Sequence, residues 1–161
     1  MSARGGGPLA TTWILVGDAS RARIFAFEKE DGPWTVVERI EHPLGRARTS
    51  DLVSDRAGRT GSGGVGSRTP PLESHMDPAE QESHRFAEKL CHVLRKGYDE
   101  HRYARLVLVA PPRFLGYLRG VLREPVARHV VASFDKDYTQ IGEKELRRLL
   151  HPHLPAEKAR A

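Results

Sequence analysis

The sequence predicts an α/β fold in which a mixed sheet carries helices on its faces. Strand-like runs fill most of residues 13–40, a long amphipathic helical pattern begins near residue 77, and a continuous apolar run at 106–110 precedes a further helical pattern. Strands that alternate with helices in this way are typical of α/β proteins. The predicted order of elements is βββαβαβα, with a long Gly/Arg-rich loop before the first helix.

The amino-terminal part predicts three antiparallel strands. The apolar run at 13–16 ends at the turn-forming residues 17–20, and the run at 23–27 comes next, which indicates a hairpin. Asp31-Gly32-Pro33 predicts a second turn, after which residues 34–40 are rich in valine, threonine and tryptophan. We therefore expect a third strand there.

The first helix has the clearest predicted start. Asp77 is placed as N-cap, Pro78 as first helical residue, and Glu80 three positions after the cap, as in a capping box. Apolar residues recur at helical spacing and predict the face that packs on the sheet: Phe86, Leu90, Val93, Leu94 and Gly97.

The second half of the chain predicts a strand, a helix, a strand and a helix. The run at 106–110 is apolar throughout, as in a parallel strand covered on both faces, so we expect it at the centre of the sheet. A second helix starts at Pro112 and stops before Pro125, and residues 130–134 form the last strand. Gly142 is the N-cap of a last helix, with Ile141 placed to pack on Leu146.

Length and composition predict one cytoplasmic domain. The 161 residues fit a single α/β domain at 12–151, between disordered tails at 1–11 and 152–161. The single cysteine excludes an internal disulfide, and residues 1–12 show no apolar signal segment. The net charge of +5 is compatible with a phosphate-bearing partner and equally with simple solubility.

The predicted loop at 43–76 is the candidate functional segment. Hydrophobic periodicity stops there, and an unstructured connection of this length is usually functional or disordered. Gly61, Gly63 and Gly66 have dinucleotide-binding spacing, but Pro70 and Pro71 separate them from the helix, so chain flexibility accounts for them better. No cofactor is predicted.

Basic residues of this loop and of the helix after it are the candidate contacts for RNA or another partner. Guanidinium groups suit bidentate phosphate contacts, and a basic stripe along the helix extends the set, although such a stripe is more often simply a solvated face. The candidates are Arg46, Arg48, Arg56, Arg59, Gly63, Gly64, Arg68, Arg85, Lys89 and Lys96. Glu82 and Glu88 dilute the stripe.

Catalytic and metal sites are not predicted. Asp18, Asp135 and Asp137 come after strands and could form a carboxylate set for two metal ions, but aspartates in such positions more often stabilise turns. The histidines are dispersed without a metal-binding pattern, and no serine has a nucleophile-elbow context.

Several segments taken together resemble the bacterial host attachment family, described as proteins required for attachment to host cells. They are residues 13–18 with 22–25, 52–59, 77–78 through 85–87, 106–110 with 112–116, and 135–137, so the resemblance spans about residues 12–151. It implies a non-enzymatic, attachment-related protein that acts through macromolecular interactions.

That family is in turn similar to the middle domain of archaeal and eukaryotic class I peptide-chain release factors, which implies a ribonuclease H-like fold. In release factors a Gly-Gly-Gln loop before the long helix promotes peptidyl-tRNA hydrolysis, and an Arg-Phe pair opens the body of that helix. Gly63-Gly64 and Arg85-Phe86 match these motifs, but Val65 stands in place of the glutamine. The resemblance implies, as the alternative function, a ribosome- or tRNA-binding module without the release-factor hydrolysis.

Overall fold

The computed structural model describes residues 11–29, 32–42 and 77–154. Within these ranges, short 3-10 turns at Val126–His129 and His151–His153 accompany eight regular elements: β1 (Thr12–Gly17), β2 (Arg21–Phe27), β3 (Thr35–Glu41), α1 (Pro78–Asp99), β4 (Arg105–Val109), α2 (Pro112–Val121), β5 (Val130–Phe134) and α3 (Glu143–Leu150). The mixed α/β class is confirmed, while assignment to the ribonuclease H-like fold stays a prediction. The predicted loop at 43–76 and most of both predicted tails lie outside the described residues.

The five strands form one mixed sheet in the order β3-β2-β1-β4-β5. β1 pairs antiparallel with β2, β2 pairs antiparallel with β3, and β1, β4 and β5 run parallel. The expectation that residues 106–110 form the central strand is wrong, because β1 occupies the middle. The apolar run at 106–110 indicates a strand that is covered on both faces. All six residues of β1 are buried as well, so burial alone does not show which of the two strands is central.

Helices cover both faces of the sheet. On one face, residues of α1 and α2 such as Phe86, Leu90 and Leu118 join the buried cluster that includes Trp13 and Leu15. On the other face, Leu146 and Leu150 of α3 pack with alternate residues of the same strands, and Ile141 packs against this second cluster. None of the helices in the described ranges is long and apolar enough to cross a membrane.

The predicted start of α1 is confirmed, with one difference. The Asp77 carboxylate accepts a hydrogen bond of 2.7 Å from the backbone N–H of Glu80 and so caps the helix. The Glu80 carboxylate accepts a hydrogen bond of 2.8 Å from the Tyr117 hydroxyl of α2. Glu80 therefore links two helices, a role that local spacing does not show.

The other end of α1 fits closely against the sheet. A Cβ atom added to Gly97 would lie 2.5 Å from Cη2 of Trp13 in β1. The Tyr103 hydroxyl donates a hydrogen bond of 2.7 Å to the carbonyl of Leu94 and joins α1 to the chain that enters β4. Glycine at position 97 thus permits the helix to approach the tryptophan.

One edge of the sheet collects the ends of four strands. Because β1 and β3 are both antiparallel to β2, they run in the same direction, and β4 and β5 run parallel to β1. We call this side the carboxyl edge; it comprises the ends of β1, β3, β4 and β5. The chain leaves β3 and enters α1 at this edge, where His42 contacts Glu82.

Candidate interaction surface

A buried carboxylate ties the end of β3 to the first turns of α1. His42 Nε2 lies 3.0 Å from Glu82 Oε1, and Arg85 donates a 2.6 Å hydrogen bond to Glu82 Oε2. Glu82 is 8% exposed. The His42 ring stacks on Phe86 at 5.0 Å between centroids. We call His42, Glu82, Arg85 and Phe86 the β3–α1 junction.

A second polar contact fixes α2 beside the same turns of α1. Tyr117 donates to Glu80, and the His84 ring lies 4.0 Å from the Tyr117 ring. Burial, and after it the hydrogen bond to Glu80, raises the pKa of the Tyr117 hydroxyl. This tyrosine therefore stays protonated and keeps its role as a donor.

The backbone adds a further tie at the carboxyl edge. The N–H of His42 donates a 2.9 Å hydrogen bond to the carbonyl of Ser20, in the turn between β1 and β2. Residue 42, after which the predicted loop begins, is thus held by both the sheet and α1. Asp77, the residue before α1, is the N-cap of that helix.

Seven of the ten predicted contact residues lie outside the described residues: Arg46, Arg48, Arg56, Arg59, Gly63, Gly64 and Arg68. The other three share one exposed side of α1, next to β3, which we call the basic flank: Arg85, Lys89 and Lys96.

Each cation of the basic flank has a contact within the chain. Arg85 pairs with Glu82, the Lys89 ammonium donates a 3.4 Å hydrogen bond to the carbonyl of Glu41, and Lys96 lies 3.7 Å from Glu100. The Arg85 and Lys96 side chains are nevertheless 62% and 75% exposed. The Lys96–Glu100 pair is exposed on both sides and contributes little stability, so Lys96 can exchange its partner for an external anion.

The junction includes groups that the sequence pattern alone does not reveal. In the sequence Glu82 is a charge that weakens the basic stripe, yet in the structure it is buried and contacts both His42 and Arg85. Its spacing from Arg85 is a visible i,i+3 pattern. The contact with His42 spans 40 positions, and no local signal in the sequence indicates it.

The carboxylates at the strand ends serve the fold. Asp18 Oδ1 accepts backbone hydrogen bonds of 2.8 Å from Ser20 and 3.0 Å from Arg21, which confirms the turn interpretation. The buried Thr139 hydroxyl lies 3.1 Å from Asp18 and 2.9 Å from Asp137. These contacts fasten the β1–β2 turn to the segment after β5.

Metal binding receives no support from these groups. Asp135 is exposed. Within residues 11–29, 32–42 and 77–154, no three His, Cys, Asp or Glu side chains are placed to hold a metal ion.

A cleft of about 470 Å³ lies between α1 and the chain that leaves α2. Cys91, His92 and Arg95 line one side, and Leu122 and Arg123 line the other. Burial, and then the nearby Glu88 charge, raises the pKa of the Cys91 thiol to about 12. The thiol is therefore protonated at neutral pH and is a poor nucleophile.

Comparison with known proteins identifies one family and several structural resemblances. The model of the family described as "Protein required for attachment to host cells" matches residues 13–150. No curated protein matches the sequence. Among solved structures, the archaeal translation termination factor aRF1 is similar with 12% identity and a TM-score of 0.46, over 79% of this chain and 30% of that chain. A structure titled "Archaeal protein" is similar with 11% identity and a TM-score of 0.46, over 88% of this chain and 33% of that one. The chain thus spans about a third of the length of these structures.

Proposed function

The chain belongs to the family of proteins required for attachment to host cells, and we propose that it acts in attachment by binding a macromolecular partner rather than by catalysing a reaction. The observation that carries this proposal is the β3–α1 junction. Its His42–Glu82 contact fixes the end of β3 to α1, so residues on either side of segment 43–76 are held together.

The composition of that segment suits an anionic partner. Its 34 residues contain five arginines and three acidic residues. Holding both ends of a binding segment at fixed positions lowers the conformational entropy lost on association, in comparison with a free tail. The basic flank lies beside the junction on α1 and extends the positive surface.

The described side chains that could act as nucleophile, acid or base have structural roles, which supports a non-enzymatic function. Asp18 holds a turn, Glu82 holds the junction, and the pKa of Cys91 is raised by burial. The raised pKa of Cys91 disfavours its thiolate, and both carboxylate oxygens of Glu82 already contact His42 and Arg85.

A pull-down with purified protein tests the role of the segment. We expect the intact chain to capture a partner that a variant lacking residues 46–74 does not capture, although both variants keep the circular dichroism spectrum of the folded body. In cells, a deletion strain should lose host attachment and regain it with the intact gene but not with the shortened one. Normal attachment of the deletion strain would refute the proposal.

Charge substitutions test the basic flank separately. The double variant Lys89→Gln with Lys96→Gln should weaken partner binding, while Arg119→Gln with Arg128→Gln removes the same charge at positions outside the flank and serves as control. Equal losses in both variants would show that net charge, and not the flank, determines binding.

A second candidate function is binding to the ribosome or to tRNA inside the cell. The arginines of segment 43–76 and the adjoining basic flank favour it, because guanidinium groups bind phosphates with two parallel hydrogen bonds. The protein should then co-sediment with ribosomes or tRNA at about 50 mM salt and be released as salt rises. Absence of co-sedimentation at low salt would exclude this candidate, and recovery of the protein solely from the cytoplasm would favour it over a direct role in attachment.

A further inference from the structure

Three arginines lie together on the face of the sheet that α3 partly covers. Phe25 and Phe27 of β2 belong to the core beneath α3, so the alternate residues Arg21 and Arg23 point to the same side. Arg39 of β3 stands directly opposite Arg23 in the antiparallel register. Directly opposed residues have their Cβ atoms about 5 Å apart. We call Arg21, Arg23 and Arg39 the arginine patch.

The facing of Arg23 and Arg39 is unfavourable to the folded state. Like charges that face each other across neighbouring strands destabilise a sheet. Burial, and then repulsion from Arg39 and Arg21, lowers the pKa of Arg23. In the part of the chain that the structure describes, none of the three guanidinium groups forms an ion pair with a carboxylate.

One donor of the patch is buried without an acceptor. The Nε atom of Arg21 is inaccessible to solvent and has no hydrogen-bond partner among the described residues. An unpaired buried donor is costly, and more so when its group is charged. Arg21 is thus the second, independent indication of a missing acceptor at this place.

The middle arginine is held rigidly. Arg23 Nη2 donates hydrogen bonds of 2.7 to 3.2 Å to the carbonyls of Tyr138, Thr139 and Ile141. The acidic neighbours are Glu143, whose charge raises the pKa of Arg23, and Glu41, which stands opposite Arg21 in the register. Asp18 lies close in the turn, but both its oxygens already accept hydrogen bonds from the chain.

We propose that the arginine patch binds a phosphate group, supplied either by a free phosphate or phosphate monoester or by the phosphodiester backbone of a nucleic acid. A phosphate between the guanidinium groups replaces their repulsion by attraction and accepts hydrogen bonds from their exposed nitrogens. The site is distinct from the proposed attachment function, because the basic flank lies on the opposite, α1-covered face.

The site can be tested by thermal unfolding of the full chain. The Tm is measured in sodium phosphate and in sodium chloride of equal ionic strength. Phosphate at about ten times its Kd should raise the Tm by about 3 °C or more over chloride, because a ligand that binds the folded state stabilises it. Arg39→Gln should abolish this difference. In chloride alone, Arg39→Gln should raise the Tm, since it removes the repulsion of Arg23. The control Arg119→Gln, at an exposed position on α2, should keep the phosphate response.

The outcomes separate a site from general screening. Equal effects of phosphate and chloride would show that salt merely screens the repulsion, and would exclude a site for free phosphate or a phosphate monoester. In that case a short RNA without terminal phosphates decides whether the site binds phosphodiesters. A rise in Tm that this RNA causes and that Arg39→Gln abolishes identifies a phosphodiester site. If the RNA does not raise the Tm either, the proposal is wrong. A phosphate response that survives both Arg39→Gln and Arg21→Gln would place the bound anion elsewhere and also overturn the proposal.

Discussion

Replacing Gly97 by alanine is expected to destabilise the protein, although alanine is the better helix former. The new Cβ would lie 2.5 Å and 2.7 Å from two ring atoms of Trp13 and 3.2 Å from Cε2 of Tyr103. Trp13 is 2% exposed, and its ring is 4.7 Å from that of Tyr103 between centroids. The guanidinium carbon of Arg102 lies 5.3 Å from the centroid of the same indole. The tryptophan therefore has no free space into which it could move.

The change in the free energy of unfolding caused by Gly97→Ala is the balance of two opposing contributions. Overpacking a filled core costs about 1 to 3 kcal/mol, whereas glycine to alanine inside a helix gains about 1 kcal/mol. The variant Gly116→Ala in α2 has the second contribution alone, because no atom lies within 4 Å of its added Cβ. The free energies of unfolding of the two variants should thus differ by the overpacking contribution, about 1 to 3 kcal/mol.

Urea unfolding monitored by circular dichroism at equal protein concentration measures this difference, with the two variants as each other's control. Thermal unfolding should separate their Tm values by about 2 to 4 °C per kcal/mol. The reasoning is refuted if Gly97→Ala is as stable as Gly116→Ala, because α1 would then not be packed on Trp13 as closely as described.

Three further changes probe the junction, the thiol and a buried hydroxyl. Glu82→Ala leaves His42 and Arg85 without their buried hydrogen-bond partner and should lower the free energy of unfolding by about 1 to 3 kcal/mol in urea titrations, whereas the exposed Glu145→Ala should have little effect. Burial favours the neutral thiol of Cys91, and the thiolate is the form that reacts with thiol reagents. At pH 8 the native protein should therefore react with such a reagent at least about 100-fold more slowly than the urea-unfolded chain. Equal rates would contradict the raised pKa of Cys91. Tyr103→Phe removes a 2.7 Å hydrogen bond to a helix carbonyl and should cost about 1 to 2 kcal/mol of unfolding free energy, and an unchanged urea midpoint would exclude that bond.

Local signals predicted the elements well. The hairpin, the cap at Asp77 and the strand at 130–134 depend on turn residues, capping groups and periodicity within a few positions, and the structure confirms all three. The central position assigned to residues 106–110 was wrong, because an apolar run reports burial and does not report neighbours.

The candidate site was less predictable because its contacts are distant in sequence. Glu82 meets His42 across 40 positions, and Arg23 reaches the carbonyl of Ile141 across 118. A charge pattern along α1 cannot distinguish a solvated glutamate from one whose partner comes from another strand. The arginine patch likewise depends on the register of β2 with β3, which places Arg39 opposite Arg23.

The β3–α1 junction also bears on how such a chain can diverge. The His42–Glu82 contact joins two residues that stand on either side of segment 43–76, so we expect insertions or deletions in that segment to leave this contact in place. Closing a longer segment is cheap, since each doubling of loop length costs about 0.6 kcal/mol. Under the proposed function, substitutions in segment 43–76 change what the protein binds, whereas substitutions in the β3–α1 junction change its stability.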